Sequence, residues 1–327
     1  MSAHHLVVGP AENGVVRHAL SVAGGAPVLR GAVGDGQALV AALPPGTPVH
    51  LAVTDHLLGA RTEDAAAWVA AVAAAAPGPV TATLHDLPHA GDGPDRMARR
   101  AATYRAVVAA CAGVVVSSEH ESALLDALGP VRRPRAVVPL PVDPPSDGPR
   151  PPARDEVAVL GFVYPGKGHA EVLAAAGDAA VVALGRVADG HAELADELAA
   201  LAGPGRFAVT GFVPDAELPA RLRAAGVPVA PHRGISASAS IGTWLSAGRR
   251  PLVPDEAWTA ELEARCPGAL WRYGDTADLA AALRAARAEP GRTWLGPSVV
   301  LGPTTAEVVA RYAALLGSVG GQGWTVR

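Results

Sequence analysis

The feature that most constrains this chain is an alternation. Short runs rich in Val and Leu keep giving way to longer Ala-rich stretches. Early in the chain the apolar runs are "HLVVG" (5–9), "VHLAV" (49–53), "VTATLH" (80–85), "GVVVSS" (113–118) and "AVVPLP" (136–141). Helical patterns fill 14–24, 62–76, 95–111 and 119–128. Strands that are apolar along their whole length must be covered on both faces. Helices lying between such strands supply that cover when the strands run parallel. The pattern therefore predicts a doubly wound α/β sheet. It breaks once, at "PLPVDPPSDGPRPPARDE" (139–156), where proline and polar residues exclude regular structure and read as a linker. It then resumes with strands at 157–163, 180–185, 207–213, 227–232, 250–255 and 269–273. Helices are predicted at 167–176, 191–202, 215–225, 237–247, 257–265, 275–288 and 303–317.

Two α/β halves follow, each of ordinary domain size at ~150 residues. The predicted division is 1–145 and 146–302, with helix 303–317 following. Two doubly wound domains on a proline linker should face a cleft, and ligands of such sheets bind at the carboxyl ends of the strands. Half of the 327 residues are apolar, enough for a sizeable core. The formal net charge of −4 gives no electrostatic footprint for nucleic acid. Cys111 and Cys266 lie far apart and suggest two reduced thiols rather than a disulfide framework. The start has no signal-peptide pattern, and the apolar stretch at 65–78 is shorter than the ~20 residues of a membrane span. A cytoplasmic protein is expected.

Four constellations could carry chemistry. The turn Gly9-Pro10-Ala11-Glu12-Asn13-Gly14 opens the first helix and can aim N–H groups at a phosphate or sugar oxygen; an ordinary strand-to-helix turn reads the same way. His85 in "LHD" ends a strand, where it either faces ligand or plays a structural part. "YPGKGH" (164–169) leaves the first strand of the second half, and Lys167 is the only lysine among 27 basic residues. Near a helix start an ammonium can neutralise phosphate as a compact point charge, although a solvated lysine would look alike. The run His232-Arg233-Gly234-Ile235-Ser236-Ala237-Ser238-Ala239-Ser240-Ile241-Gly242 leads into another helix. One serine suffices for a cap, so three beside an arginine lean towards anion binding. Arg96, Arg99, Arg100 and Arg105, with Arg132, Arg133 and Arg135, read as a solvated face; contact with an anionic membrane surface at the inner leaflet is the second reading. No Cys/His metal spacing, nucleophile elbow or Walker loop is present.

In this order the pieces resemble the GT-B-fold glycosyltransferases, specifically the retaining family 4 group. "GPAENGVVRHALSVA", "TATLHDL", "GVVVSSEHESALL" and "VVPLPVD" are similar to its first domain. "VLGFVYPGKGHAEVLAAAG", "FAVTGFVPDAELPARLRAAGVPVAPH" and "LSAGRRPLV" are similar to its second. The resemblance implies transfer of a sugar from a nucleotide-sugar donor, UDP- or GDP-linked, with retention and without metal or other cofactor. The acceptor is open: small molecule, glycan or lipid-linked. Lys167 would bind the donor diphosphate, His85 would sit by the donor sugar, Asn13 and Gly14 would lie near phosphate or sugar, and helix 303–317 would cross back to join the first domain. Two departures stand out. The arginine that follows the strand-exit glycine, Gly161, is Phe162 here, and the paired glutamates fall on Ile235 and Thr243. Arg186, Arg233, Gly234 and Ser236, Ser238 and Ser240, with Thr243, are the candidates to compensate at the donor. The departures also support another class, a degenerate GT-B protein that binds a sugar nucleotide or partner without turnover.

Overall fold

The structure is a computed structural model that describes every residue except Met1, Val131, Ser146, Asp147, Gly320, Gln322 and Arg327, and only the backbone of Val326. The chain divides into two compact units, Met1–Pro141 with Pro303–Arg327, and Val142–Gly302. Two residues of the predicted linker, Ser146 and Asp147, lie outside the described residues.

The first unit runs β1 (His4–Val8), α1 (Gly14–Ala23), β2 (Val28–Gly31), α2 (Gly36–Ala41), β3 (Val49–Val53), α3 (Thr62–Ala75), β4 (Val80–Leu84), α4 (Pro94–Ala110), β5 (Gly113–Val116), α5 (Glu119–Ala127) and β6 (Pro134–Val137). The second runs β7 (Val157–Leu160), α6 (His169–Ala175), β8 (Val181–Leu184), α7 (Leu194–Ala202), β9 (Phe207–Val209), α8 (Leu218–Arg223), β10 (Val227–Val229), α9 (Ala239–Ser246), β11 (Leu252–Pro254), α10 (Ala257–Arg265), β12 (Trp271–Tyr273) and α11 (Thr276–Ala288). The chain then returns to the first unit with α12 (Thr305–Leu316) and β13 (Thr325–Val326).

In the first sheet the order is β13-β6-β5-β4-β3-β1-β2, parallel except for β13, which pairs antiparallel with β6. The second is wholly parallel, in the order β12-β11-β10-β7-β8-β9. The order in which the chain adds strands reverses once in each sheet, between β1 and β3 and between β7 and β10. Those are the switch points where a doubly wound sheet leaves a crevice beyond its strand ends. β4, β5 and β7 are buried along their whole length, as expected of strands with helices on both faces. Leu6, Leu51 and Leu84 fill the first core, and Val159, Val181 and Val227 the second.

α12 is held on the first unit by the buried Tyr312, whose hydroxyl bonds Thr83 Oγ1 at 2.9 Å. Thr304 caps it, accepting from the Glu307 N–H, while the Glu307 carboxylate accepts from the Thr304 N–H at 2.7 Å, a reciprocal capping box. Among the described residues no helix is long and apolar enough to cross a membrane. The Ala-rich stretch that raised the question is α3, whose Val69 and Val72 are fully buried.

The arginine stretch corrects one expectation. Arg100 is not on a solvated face: it is 4% exposed. It grips Asp55 through Nε at 2.9 Å and a second nitrogen at 3.2 Å, and Asp92 at 2.6 Å. Burial opposes its charge, but the Asp55 hydrogen bond and charge outweigh it and hold the pKa above the ordinary value. Arg135 is buried too, donating to Ser122 and Asp126. Arg100→Met would take from two buried carboxylates, Asp55 and Asp92, the guanidinium they share, and we expect it to destabilise the chain by roughly 3 kcal/mol. Urea denaturation of Arg100→Met and of the Arg100→Met/Asp55→Asn pair checks this: the double variant should recover part of the loss, and a single-variant effect under about 0.5 kcal/mol would exclude a buried network.

Candidate functional site

In the second unit the chain leaves β7 through Gly161, at φ +114. A few residues on, Lys167 folds back over this exit, so that a Cβ placed on Gly161 would stand 3.5 Å from its Nζ. The next residue, Gly168, caps α6 in the left-handed conformation, φ +92. A Cβ there would come within 2.9 Å of Pro231 and 3.0 Å of its carbonyl oxygen. Only glycine lets the Lys167 loop lie against the segment that leaves β10. Two chain segments thus meet across the β7/β10 switch point.

The β10 segment contributes His232, 4% exposed. Its Nε2 lies 2.9 Å from Ser238 Oγ, and Ser238 Oγ lies 3.0 Å from Ser240 Oγ. Ser238 also caps α9, accepting from the Ile241 N–H at 3.4 Å. Lys167 is 5% exposed, and among the described residues its ammonium makes no hydrogen bond or ion pair. Burial pulls its pKa down to about 8. His169 is buried with both ring nitrogens unpartnered, and burial, then the charge of Lys167, lowers it to about 4. Burial and the same ammonium hold His232 well below its ordinary value. At pH 7 the group is one ammonium among neutral imidazoles and hydroxyls, at the mouth of a helix N-terminus. Chemically it can take an anion.

In the first unit His85 follows β4. Its backbone is pinned: the N–H donates to Val53 O at 2.8 Å, and the carbonyl accepts from the buried Tyr104 hydroxyl at 2.5 Å. Arg100 donates to the Asp86 carbonyl, and Asp86 adopts φ +50, a left-handed conformation rare outside glycine. The His85 Nε2 is buried without a partner, and its ring meets that of His18 on α1 edge to face at 5.3 Å. Burial lowers His85 to about 4, so the imidazole is neutral at pH 7. Asn13 caps α1 through Oδ1, accepting from the Val15 and Val16 N–H groups at 2.9 and 3.4 Å. A Cβ on Gly14 would meet nothing within 4 Å.

No protein-family model matches this chain, and no curated protein matches it. Solved structures do. HepE from Anabaena, crystallised with UDP and glucose, superposes with a TM-score of 0.68 at 12% identity over 97% of this chain and 95% of its own. The fold is GT-B. AviGT4, a glycosyltransferase involved in avilamycin A biosynthesis, aligns over 97% of both chains at 15% identity and a TM-score of 0.59. A UDP-forming trehalose-phosphate synthase from Burkholderia xenovorans aligns over 88% of this chain and 78% of its own, at 12% identity and a TM-score of 0.61. In this GT-B chain each Rossmann-like unit carries one of the two residue groups just described.

Of the residues singled out by sequence, Gly161, Lys167, Ser238 and Ser240 come together on the GT-B second unit. Ser236 is buried close by in sequence. Arg186, leaving β8, lies over the ring of Phe162 at 4.9 Å and pairs with Asp189 at 2.7 Å. A guanidinium therefore does stand beside the β7 exit, carried by the neighbouring strand. Arg233 lines a cavity together with Gly166, Gly168 and Pro231, and donates to Glu171 on α6 at 3.0 Å and to the Gly274 carbonyl at 3.1 Å. Gly234 donates its N–H to Glu256 at 2.8 Å. Thr243 gives its hydroxyl to the Ala239 carbonyl of its own helix at 2.8 Å, and Ile235 packs into an apolar cluster. Asn13, Gly14 and His85 belong to the first unit.

Sequence reasoning missed His18 as a member of these groups, gave His169 and His232 no role although both lie in the stretches it singled out, and missed Arg100 and Tyr104 as the supports of the His85 turn. The helical spacing of Arg100 and Tyr104 was the one available signal, since it puts both on one face of α4. Among the described residues no cluster of three or more His, Cys, Asp or Glu is placed to hold a metal ion.

Proposed function

We propose that this chain is a retaining, metal-independent glycosyltransferase of the family 4 type, moving a sugar from a UDP- or GDP-linked donor to an acceptor. The observation that carries the reading is Lys167: a buried ammonium without a counter-ion, at the switch point of the second doubly wound sheet. The UDP found with HepE and the UDP-forming reaction named for the trehalose-phosphate synthase support a nucleotide-sugar donor.

As the sugar leaves, negative charge grows on the departing diphosphate. Lys167 supplies the compensating charge, with the α9 N-terminal N–H groups and the Ser240 hydroxyl beside it. Arg186 is the second cation at this strand edge, in place of the arginine that Phe162 displaces. His85, neutral and rigidly held, hydrogen-bonds a sugar hydroxyl rather than delivering a charge.

Incubation with UDP-, GDP- and TDP-sugars tests the proposal. Release of the nucleoside diphosphate is expected with at least one donor, undiminished by EDTA, and proton NMR of the product should show the donor's anomeric configuration. Thermal stabilisation by a donor with neither transfer nor hydrolysis would establish a binding protein instead. An inverted product would exclude retention.

A further inference from the structure

The second unit holds a cavity of ≈ 510 Å³ that the donor reading does not use. Arg150, Arg223, Gly248 and Trp294 form its polar side, with Pro144 and Leu301 on its apolar side. All belong to Val142–Gly302. Gly248 lies just past the carboxyl end of α9, whose amino end is capped by Ser238. An eight-residue helix rises about 12 Å, so the cavity and the Lys167 group lie at opposite ends of α9.

Three guanidiniums converge on one indole. The Cζ atoms of Arg249, Arg150 and Arg223 stand 4.7, 5.0 and 5.1 Å from the Trp294 ring centre. Arg249 is 1% exposed, and its donors go to the carbonyls that end α8, from Leu222 to Gly226, and to Thr293. Arg223 donates to the carbonyls of Ala247, Gly148 and Pro149. Arg150 is exposed and donates to no described residue. Every acceptor is neutral. Among the described residues no carboxylate pairs with these arginines, and none lines the cavity. Burial, then the charges of Arg223 and Arg150, pull Arg249 down to about 10. Carbonyl bonds satisfy the N–H groups but leave three like charges in one place, and buried charges in proteins are ordinarily paired. An anion completes the arrangement.

We propose that this cavity binds a phosphate group. Arg150 and the unused N–H groups of Arg223 donate to its oxygens, a charge-assisted geometry that suits guanidinium, and the wall at Pro144 and Leu301 receives whatever the phosphate esterifies. Free phosphate and a lipid headgroup share this chemistry. The inference stands apart from the glycosyltransferase reading and survives its failure.

Isothermal titration calorimetry on the full chain decides it, with inorganic phosphate in one arm and dihexanoyl phosphatidic acid below its micelle concentration in the other, at matched ionic strength. Arg150→Glu changes an exposed side chain that touches Trp294 but hydrogen-bonds no described residue, and Lys167→Ala empties the other anion group. We expect saturable one-site binding that persists in Lys167→Ala and weakens at least about tenfold in Arg150→Glu. Equal affinity in the two arms assigns free phosphate, and much tighter binding of the lipid assigns a headgroup. Binding that is lost in Lys167→Ala and kept in Arg150→Glu would overturn the proposal, as would no saturable binding of either probe to the wild type.

Discussion

Lys167→Ala is expected to lower kcat for sugar transfer by roughly 10²- to 10³-fold, the scale of removing one preorganised stabiliser of developing negative charge. The size follows from placement. The ammonium is buried and makes no hydrogen bond or ion pair with a described residue, its ring contact being Tyr164 at 6.0 Å, so its field is undiluted by water or by a resident carboxylate. Lys167→Arg keeps the charge, but a planar fork must fit where a Cβ on Gly161 would already be in van der Waals contact with the lysine. It should recover at most part of the rate. The pH profile gives an independent reading. Burial disfavours the cation, so the pKa sits at about 8; the cation is present below that value and is lost as the pH rises through it. For the wild type, kcat/KM for the donor should therefore fall above pH 8 by about tenfold per unit. In Lys167→Arg that limb should vanish, because arginine keeps its proton. Wild-type rates in Lys167→Ala, or an alkaline limb unchanged in Lys167→Arg, would remove Lys167 from the mechanism.

Mild acid is expected to unfold the first unit early. His5, His18, His50 and His85 are all lowered by burial, His5 and His85 to about 4, His18 to about 3 and His50 well below its ordinary value. Their rings form one group with Tyr312: His5 and His18 flank the pair, His50 meets Tyr312 at 5.6 Å, and His85 meets His18 at 5.3 Å. His50 is also bonded through both nitrogens, at 2.9 Å each, to Thr81 and Thr83. A folded pKa below the unfolded value of about 6.5 means that the unfolded chain takes up the protons first. Stability is complete above pH 6.5 and falls as the pH drops, the contributions of His5 and His85 levelling off near pH 4 and those of His18 and His50 only below it. Each histidine contributes on the order of 1 kcal/mol per pH unit in that window. Together the four should lower the Tm by roughly 10 °C or more between pH 7.5 and pH 5. His50→Gln keeps hydrogen-bonding capacity without the titration and should flatten the slope. A Tm unchanged across this range would show that these imidazoles do not stay neutral in the fold.

The sequence shows the fold well because a parallel strand buried on both faces displays mostly apolar residues, with His50 on β3 and Thr81 and Thr83 on β4 as polar exceptions. β3, β4, β5 and β7 could be read directly for that reason. β2 could not: it is an edge strand with alternating exposure, and its apolar signal shrinks to Val28 and Leu29. β13 is two residues long and pairs antiparallel, so no period could announce it. Arg100 was misread because a helical arginine looks the same whether it meets water or carboxylates. Asp55 and Asp92 reach it from segments that only the folded chain brings near. At the candidate site the glycines and the lone lysine were legible, since strand exits and helix starts are local. His232 was legible as the start of its run, but its place beside Lys167 was not. That depends on Gly168 lying against Pro231 and on β7 and β10 being neighbours, which is a property of winding order rather than of any window of residues.

Tyr312 and Thr83 are bonded across 229 positions of chain. A ribosome delivering about 5–20 residues per second leaves that bond unmade for roughly ten to fifty seconds after the β4 strand emerges. The second unit is contiguous from Val142 to Gly302 and has all its strands in hand before α12 is synthesised. The first unit, though earlier in the gene, must wait with its histidine-lined face uncovered. Birth order and completion order are therefore reversed in this chain, and the nascent protein's most vulnerable surface is the one made first.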